Sequence, residues 1–119
     1  MKESLINKRA LGLLYEEKVA KYLEDNGYKI IERNFFTRIG EIDIVAQNDG
    51  YICFIEVKYR EENALASGLY AVDKKKQKTI YNVAKIYMAR NYIKEDTACR
   101  FDVVSVEGNK IEIIKNAFP

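Results

Sequence analysis

The 119-residue sequence contains no histidine, no tryptophan, one proline and only two cysteines. Two cysteines are too few for a disulfide scaffold, and without histidine the usual zinc sites are nearly excluded. No stretch approaches the roughly 18 consecutive apolar residues of a membrane span, and the first residues lack the apolar core of a signal peptide. These absences predict a cytoplasmic protein whose thiols are free and buried.

The sequence also lacks a large charge of one sign, since its formal net charge is +2 although 32% of its residues are charged. Any affinity for nucleic acid must therefore come from local clusters of Lys and Arg. Nothing in the composition marks an internal linker, and 48% of the residues are apolar. The length and composition predict one compact domain over residues 1–119.

Apolar residues recur at helical spacing in two segments. The first runs from about Asn7 to Asn26 and is followed by Gly27, which is typical of a helix stop. The second begins after Asp73, a suitable N-cap, and runs to about Asn91. The positions predicted to face the core are Leu11, Tyr15, Val19, Tyr22 and Leu23 in the first helix, and Ile80, Val83, Ala84 and Tyr87 in the second.

Five segments have the composition and alternation of strands, which gives the element order α-β-β-β-α-β-β. This order predicts an α/β fold with a mostly antiparallel mixed sheet flanked by helices. The polar segment Glu61–Gly68 has no periodicity, and we expect a loop there, beside the end of the central hairpin. The predicted strands are Tyr28–Arg33, Ile39–Gln47, Tyr51–Lys58, Arg100–Val106 and Lys110–Ile114.

The second and third strands are joined by Asp49 and Gly50, a strong signal for a two-residue hairpin turn. Counting outward from that turn sets Asp43 opposite Glu56, with about 4.5–5.5 Å between their Cβ atoms. Period-two alternation makes one side of the hairpin wholly apolar, so that side should pack on a helix. The apolar side is predicted to contain Ile42, Ile44, Ala46, Cys53, Ile55 and Val57.

The other side of the hairpin carries Glu41, Asp43, Glu56 and Lys58. Carboxylates that face each other across a ladder repel, and a bound dication would remove the conflict. Magnesium commonly takes one or two carboxylates, with waters and phosphate oxygens completing its coordination. Asp43 and Glu56 are therefore predicted to bind Mg²⁺ or Mn²⁺, and Lys58 to hold the attacking water or neutralise charge on the phosphate. The alternative is a surface ion pair between Glu41 and Lys58, with both acidic side chains pointing into water.

Both helices carry polar side chains that the hairpin site could use. Glu16 falls on the inward side of the first helix, where a carboxylate needs a partner. Gln77 falls within the apolar arc of the second helix, either near the metal site or as a satisfied core amide. A basic face of the same helix, together with Arg60, could follow a phosphate backbone, although an ordinary solvated face is the alternative. The lysines of that face are Lys74, Lys78 and Lys85.

Asp43 with the triplet Glu56-Val57-Lys58 resembles the PD-(D/E)XK nuclease superfamily, and Glu16 stands where Holliday junction resolvases keep a helix carboxylate. Longer motifs resemble the bacterial YraN-like family, and this resemblance covers nearly the whole chain. They are GEID at 40–43, FIEVKYR at 54–60, RFDVV at 100–104 and NAF at 116–118. The sequence departs from the family at Tyr15, where a glycine commonly stands.

The resemblance implies a restriction-endonuclease-like core and relatives predicted to be nucleases. Carried over, Asp43 and Glu56 would ligate the metal, Lys58 would assist the water, and Glu16 would complete or orient the site. Gln77 begins a segment similar to the Q-x-x-x-Y element of some of these nucleases.

We therefore expect a Mg²⁺- or Mn²⁺-dependent endonuclease that hydrolyses phosphodiester bonds in DNA, including branched or single-strand-containing structures. The alternative is a nucleic-acid-binding or assembly protein of the same fold without catalysis. Symmetric cutting of a junction would require a homodimer.

Overall fold

The computed structural model describes residues 2–60 and 72–118, with their side chains from residue 10 onward. The predicted loop at Glu61–Gly68 lies outside these residues. Seven elements follow one another in the predicted order. They are α1 (Lys2–Asp25), β1 (Lys29–Phe36), β2 (Glu41–Asn48), β3 (Tyr51–Arg60), α2 (Lys74–Arg90), β4 (Cys99–Glu107) and β5 (Lys110–Ile114).

The five strands form one sheet in the order β1-β2-β3-β4-β5. Among these strands, β3 and β4 run parallel because α2 crosses between them, and the other neighbouring pairs are antiparallel. The predicted α/β fold with a mostly antiparallel sheet is confirmed. The edge strand β1 carries a bulge between Ile30 and Glu32.

The two helices pack on opposite faces of the sheet, which separates two hydrophobic cores. On the α1 side, Val19 and Leu23 pack against alternate residues of the central strands. On the α2 side, all four predicted core residues of the second helix are buried. Cys53 is buried and Cys99 half-buried, and both are free thiols. Neither described helix is long and apolar enough to cross a membrane.

Both predicted end signals of α2 are observed, whereas the first turns of α1 depart from the prediction. Asp73 caps α2 by accepting a hydrogen bond from the Lys76 N–H, and Asn91 follows its last turn. The prediction that Leu11 faces the core is wrong, since 52% of its surface is exposed. The 24 residues of α1 span about 36 Å, whereas β1 and β2, with eight residues each, span about 26 Å. The first turns of α1 therefore extend past the sheet.

The predicted alternation of β2 holds only as far as Ile44. Ile42 should share a side with Ile44, but it packs in the α2-side core, while Ile44 packs on the α1 side. Asn34, on the paired strand, has a φ of 54° at this point, a left-handed conformation that breaks regular strand geometry. Both strands therefore change face between the pairs Arg33↔Ile44 and Phe35↔Ile42. Asp43 lies at the position where β2 changes face.

Candidate functional site

A tight turn sets the register of the hairpin that carries the site. Asp49 and Gly50 have φ angles of 53° and 83°, as a type I′ turn requires. The residues that flank the turn pair with each other, and the ladder continues to Ile44↔Ile55. The predicted register is thus confirmed up to the residues that neighbour the two acidic side chains.

Beyond that pair the ladder of β2 and β3 ends, and Asp43 lies in the resulting fork. A regular ladder would join the Val57 N–H to the carbonyl of Ile42. Instead, Asp43 Oδ2 accepts a hydrogen bond of 2.8 Å from the Val57 N–H. The backbone of β3 therefore fixes the Asp43 carboxylate beside Glu56.

The Glu56 side chain faces α2 and is only 13% exposed, with Lys76 Nζ 3.8 Å from its Oε1. Burial, and secondly the charge of Asp43, raise the pKa of Glu56 to about 7, although Lys76 and Lys58 oppose the shift. The alternative in which this carboxylate points into water is therefore wrong. Glu56 is a partly buried acid, and among the described residues Lys76 is the cation observed within 4 Å of it.

The pKa of Asp43 is also raised, chiefly by burial. The hydrogen bond from Val57 and the charge of Lys76 lower it, whereas Glu41 and Glu16 raise it further. Because the pKa of each carboxyl lies above its ordinary value, ionising both in the folded protein is unfavourable. An additional cation at this point would relieve the repulsion.

The donor set of the fork fits magnesium or manganese. Two carboxylates are the number that magnesium commonly takes from a protein when waters and phosphate oxygens supply the remaining ligands. Within residues 10–60 and 72–118, no three His, Cys, Asp or Glu side chains are grouped to hold a metal. A cation here would therefore depend on water and substrate for most of its coordination, which suits a catalytic site better than a structural one.

Glu16 does not face inward as predicted, because its side chain is exposed. The turn of α1 that meets the sheet directs Val19 and Leu23 into the core, and Glu16 lies at the rim. There it lines a cleft together with Asp43 and Tyr59. The cleft has a volume of about 90 Å³, or about three water molecules at ~30 Å³ each. It has room for water and phosphate oxygens.

Lys58 and Arg60 continue β3 away from Glu56, and both side chains are half-buried. The charge of Lys58 lowers the pKa of Glu56, which places its ammonium group near that carboxyl. Arg60 lies beside Glu107 in the register of β3 and β4. Both side chains make polar or electrostatic contacts within the protein, and their predicted catalytic and phosphate-binding roles stay predictions.

The three lysines of the predicted basic face of α2 are exposed to solvent. They are Lys74, Lys78 and Lys85. Gln77 is half-buried, and its Nε2 donates a hydrogen bond of 2.7 Å to the carbonyl of Val72. Gln77 therefore matches the alternative of a satisfied amide, and it ties the first turn of α2 to the residue before the cap.

Lys76 is the site residue that the sequence analysis missed. It lies four residues before Ile80 and seven before Val83, so it extends the buried stripe of α2 by one turn towards the hairpin. A lysine at a core position was the available signal. The capped start of α2 thus directs a cation at Glu56.

A second polar cluster lies on the α1 side of the sheet and is fully satisfied. Asp102, with 0% of its surface exposed, accepts two hydrogen bonds from Arg100, one from the Tyr28 hydroxyl and one from the Asn116 N–H. Arg100 also donates to Asn48 Oδ1 at 2.7 Å. The hydrogen bond to Asp102 raises the pKa of Arg100, and burial raises that of Tyr28. The RFDVV and NAF motifs therefore supply structure here.

The chain matches the model of the uncharacterised protein family UPF0102 over residues 15–106. A UPF0102 protein of Lachnoclostridium phytofermentans is 46% identical over 113 residues, which are 95% of this chain and 96% of the relative. A UPF0102 protein of Acetivibrio thermocellus is 42% identical over 122 residues, covering 94% of this chain and 93% of the relative. A UPF0102 protein of Fusobacterium nucleatum is 41% identical over 112 residues, which cover 93% of this chain and 92% of the relative.

The matched segment contains the GEID, FIEVKYR and RFDVV motifs, and with them both carboxylates of the fork and Lys58. It begins one residue before Glu16 and so includes the carboxylate at the rim of the cleft as well. The expected YraN-like membership is confirmed: this chain belongs to the uncharacterised protein family UPF0102.

Proposed function

We propose that this protein is a metal-dependent endonuclease that hydrolyses phosphodiester bonds in DNA. The proposal rests on Asp43 and Glu56, two partly buried carboxylates with raised pKa values that interact electrostatically where β2 and β3 separate. Lys58 and Lys76 approach the same point from a strand and a helix. The resemblance to PD-(D/E)XK nucleases and Holliday junction resolvases supports the same chemistry, acting on branched or single-strand-containing DNA in the cytoplasm.

In this proposal Asp43 and Glu56 would hold Mg²⁺ or Mn²⁺. The chemistry that such an ion supplies is polarisation of a phosphate oxygen and activation of a water molecule. Lys58 orients that water and neutralises charge that develops on the phosphate oxygens. Lys76, once released from Glu56, can pair with the same phosphate group, and Glu16 orients water from the rim of the cleft.

DNA would pass the first turn of α2, which lies beside the fork because Lys76 contacts Glu56. The basic face lies on the opposite side of the helix from Lys76 and would contact the flanking backbone. Lys74, Lys78 and Lys85 are exposed and would follow the phosphate backbone without reading sequence. Arg60, at the end of β3, would extend this surface. A homodimer would place two such sites on one junction.

The direct test is cleavage of linear, nicked, single-stranded and four-way-junction DNA with Mg²⁺, Mn²⁺ or EDTA. Glu56→Ala and Lys58→Ala should each abolish metal-dependent cleavage and leave DNA affinity nearly unchanged, because both residues serve the chemistry. Glu95→Ala, an exposed carboxylate beyond α2, is the matched control and should cut like the wild type. Absence of cleavage with every metal, or a Glu56 variant as active as the wild type, would refute the proposal.

The exposed lysines also favour a second function, nucleic-acid binding without catalysis. Binding alone predicts affinity that falls with salt but no metal-dependent product. Replacing Lys74, Lys78 and Lys85 together by Ala should weaken binding to all sequences alike and reduce the salt dependence by about three phosphate contacts. Unchanged affinity and salt dependence would show that this face is only solvated, and an assembly protein would bind no DNA at all.

A further inference from the structure

The turn between β1 and β2 exposes large apolar side chains beside the proposed site. Phe36 is 65% exposed and Ile39 is 53% exposed, and Arg38 between them is exposed as well. Neighbouring apolar side chains left in water in this way are typical of an interaction site. An arginine in their midst suits a partner that has both flat apolar faces and negative charge.

This turn is held in one conformation. Thr37 donates from both its N–H and its hydroxyl to the Gly40 carbonyl, each at 2.8 Å. A Cβ on Gly40 would lie 2.7 Å from Thr79 Cγ2, so the backbone of the turn packs directly on α2. These contacts constrain the backbone of the turn next to Phe36.

The position of Phe36 relates it to the fork. Phe36 pairs with Glu41 across the β1–β2 ladder, and Glu41 lies two residues, about 7 Å, from Asp43 along β2. Because paired residues lie about 5 Å apart across a ladder, the backbone of Phe36 is roughly 9 Å from that of Asp43, which corresponds to two to three stacked nucleotides at about 3.4 Å each. A strand whose phosphate lies at Asp43 would thus bring a neighbouring base to Phe36.

The cleft beside Asp43 has room for phosphate oxygens and water, and a strand whose phosphate lies there would place its bases on the surrounding surface. Aromatic side chains bind unpaired bases by stacking, without regard to sequence, and arginine adds phosphate contacts. Inside a duplex, both faces of each base are already occupied by neighbours. The chemistry of this turn therefore fits DNA with unpaired nucleotides.

We propose that Phe36 stacks on an unpaired base of the strand held at the fork, with Arg38 on an adjacent phosphate, and that this contact gives preference for single-stranded or branched DNA. The inference rests on the proposed nuclease function, because that function places the strand at Asp43. It adds a residue that selects the substrate and takes no part in the chemistry.

The test is binding of a single-stranded oligonucleotide labelled with 2-aminopurine, compared with a blunt duplex, in Mg²⁺. Every change is made in the Lys58→Ala protein, which should keep the metal at the fork without cutting. Phe36→Ala and Phe36→Leu should weaken single-strand binding by roughly 5- to 150-fold, the range produced by loss of one base–aromatic stack. They should also abolish quenching of the label and leave duplex affinity unchanged. Phe36→Tyr should retain wild-type binding. Tyr92→Ala, which removes an aromatic side chain that is 96% exposed beyond the last turn of α2, is the control and should change nothing.

Equal losses on single strand and duplex, no loss at all, or wild-type binding by Phe36→Leu would each overturn the inference. Since Phe36 is exposed, thermal melts of its variants should match the wild type, which separates stacking from folding. Binding by the Lys58→Ala protein does not depend on cleavage. A Phe36 effect without any metal-dependent product would therefore refute the nuclease proposal alone, whereas cleavage without a Phe36 effect would refute the stacking alone.

Discussion

Asp102 and the Asp43–Glu56 pair lie on the same sheet, but they differ in what surrounds them. Asp102 accepts four hydrogen bonds, two of them from the Arg100 guanidinium. Among the described residues, Asp43 accepts one from a backbone N–H, and Lys76 lies 3.8 Å from Glu56. The first cluster supplies its own cation and needs nothing further. Within the described residues, the second concentrates negative charge where solvent reaches it, which is the arrangement that the proposed metal site needs.

The largest expected effect is on the satisfied cluster. Asp102→Ala leaves the Arg100 guanidinium buried without its carboxylate, and we expect the free energy of unfolding to fall by about 3–5 kcal/mol. In metal-free protein, Glu56→Gln should leave stability unchanged or raise it, because it removes a repelling charge. Urea denaturation of both variants in EDTA measures the difference. Comparable losses in the two variants would remove the distinction between the clusters.

Metal binding should reverse the ranking of the fork variants. In EDTA, Asp43→Asn should match the wild type or exceed it by up to ~1 kcal/mol, because the repulsion is relieved. At a concentration 100 times Kd, Mg²⁺ or Mn²⁺ should stabilise the wild type by ~2.7 kcal/mol and the variant far less. Thermal melts over graded metal concentrations give the answer. A wild-type Tm indifferent to millimolar Mn²⁺ contradicts a metal site at the fork, and equal shifts in both proteins place the metal elsewhere.

The raised pKa of Glu56 predicts how stability depends on pH. Between its ordinary value of 4.5 and about 7, the folded protein binds a proton that the unfolded chain has lost, so the free energy of unfolding falls as pH rises through this window. The raised pKa of Asp43 acts in the same direction. With solvent screening, we expect a loss of roughly 1–2 kcal/mol between pH 5 and 8 in EDTA. Denaturation of Glu56→Gln over the same range should show most of this slope removed, and an unchanged slope would assign it to other groups.

The smallest expected effect concerns Lys76, the single lysine observed within 4 Å of the Glu56 carboxylate among the described residues. Because 44% of its side chain is exposed, Lys76→Met should cost less than ~1 kcal/mol of stability in EDTA. It should nevertheless shift the Mn²⁺ dependence of Tm to lower metal concentrations, since a competing cation is gone. Lys75→Met, an exposed neighbour on α2, is the control. The same shift in both variants would mean that only the overall charge matters.

The register of the hairpin could be predicted because its causes are local. The Asp49–Gly50 turn and the alternation of the two strands fix which residues meet, and the structure confirms the ladder up to Ile44. The point at which β2 leaves β3 could not be predicted. This point coincides with the left-handed φ of Asn34 on β1. Because β1 is not part of the hairpin, the sequence of the hairpin does not encode this change.

The contributions of the helices to the site depend on how the helices dock. Glu16 was predicted to face inward from helical phase alone, but that phase does not show where α1 crosses the edge of the sheet. Leu11 is exposed for a related reason, since the helix is longer than the strands beneath it. The sequence shows a lysine, Lys76, in line with the apolar stripe of α2. Its role could be inferred only from the docking of the helix, which places this end of the stripe beside Glu56.

The bulge in β1 bears on how copies of this protein could associate. An edge strand offers unpaired backbone groups that invite a second copy to extend the sheet. The bulge between Ile30 and Glu32 interrupts the regular spacing of those groups midway along β1, although Ile31 there is 43% exposed. Two copies joined through β1 would lose register at that point, which discourages aggregation by strand addition. A homodimer of the proposed nuclease would therefore not be joined through β1.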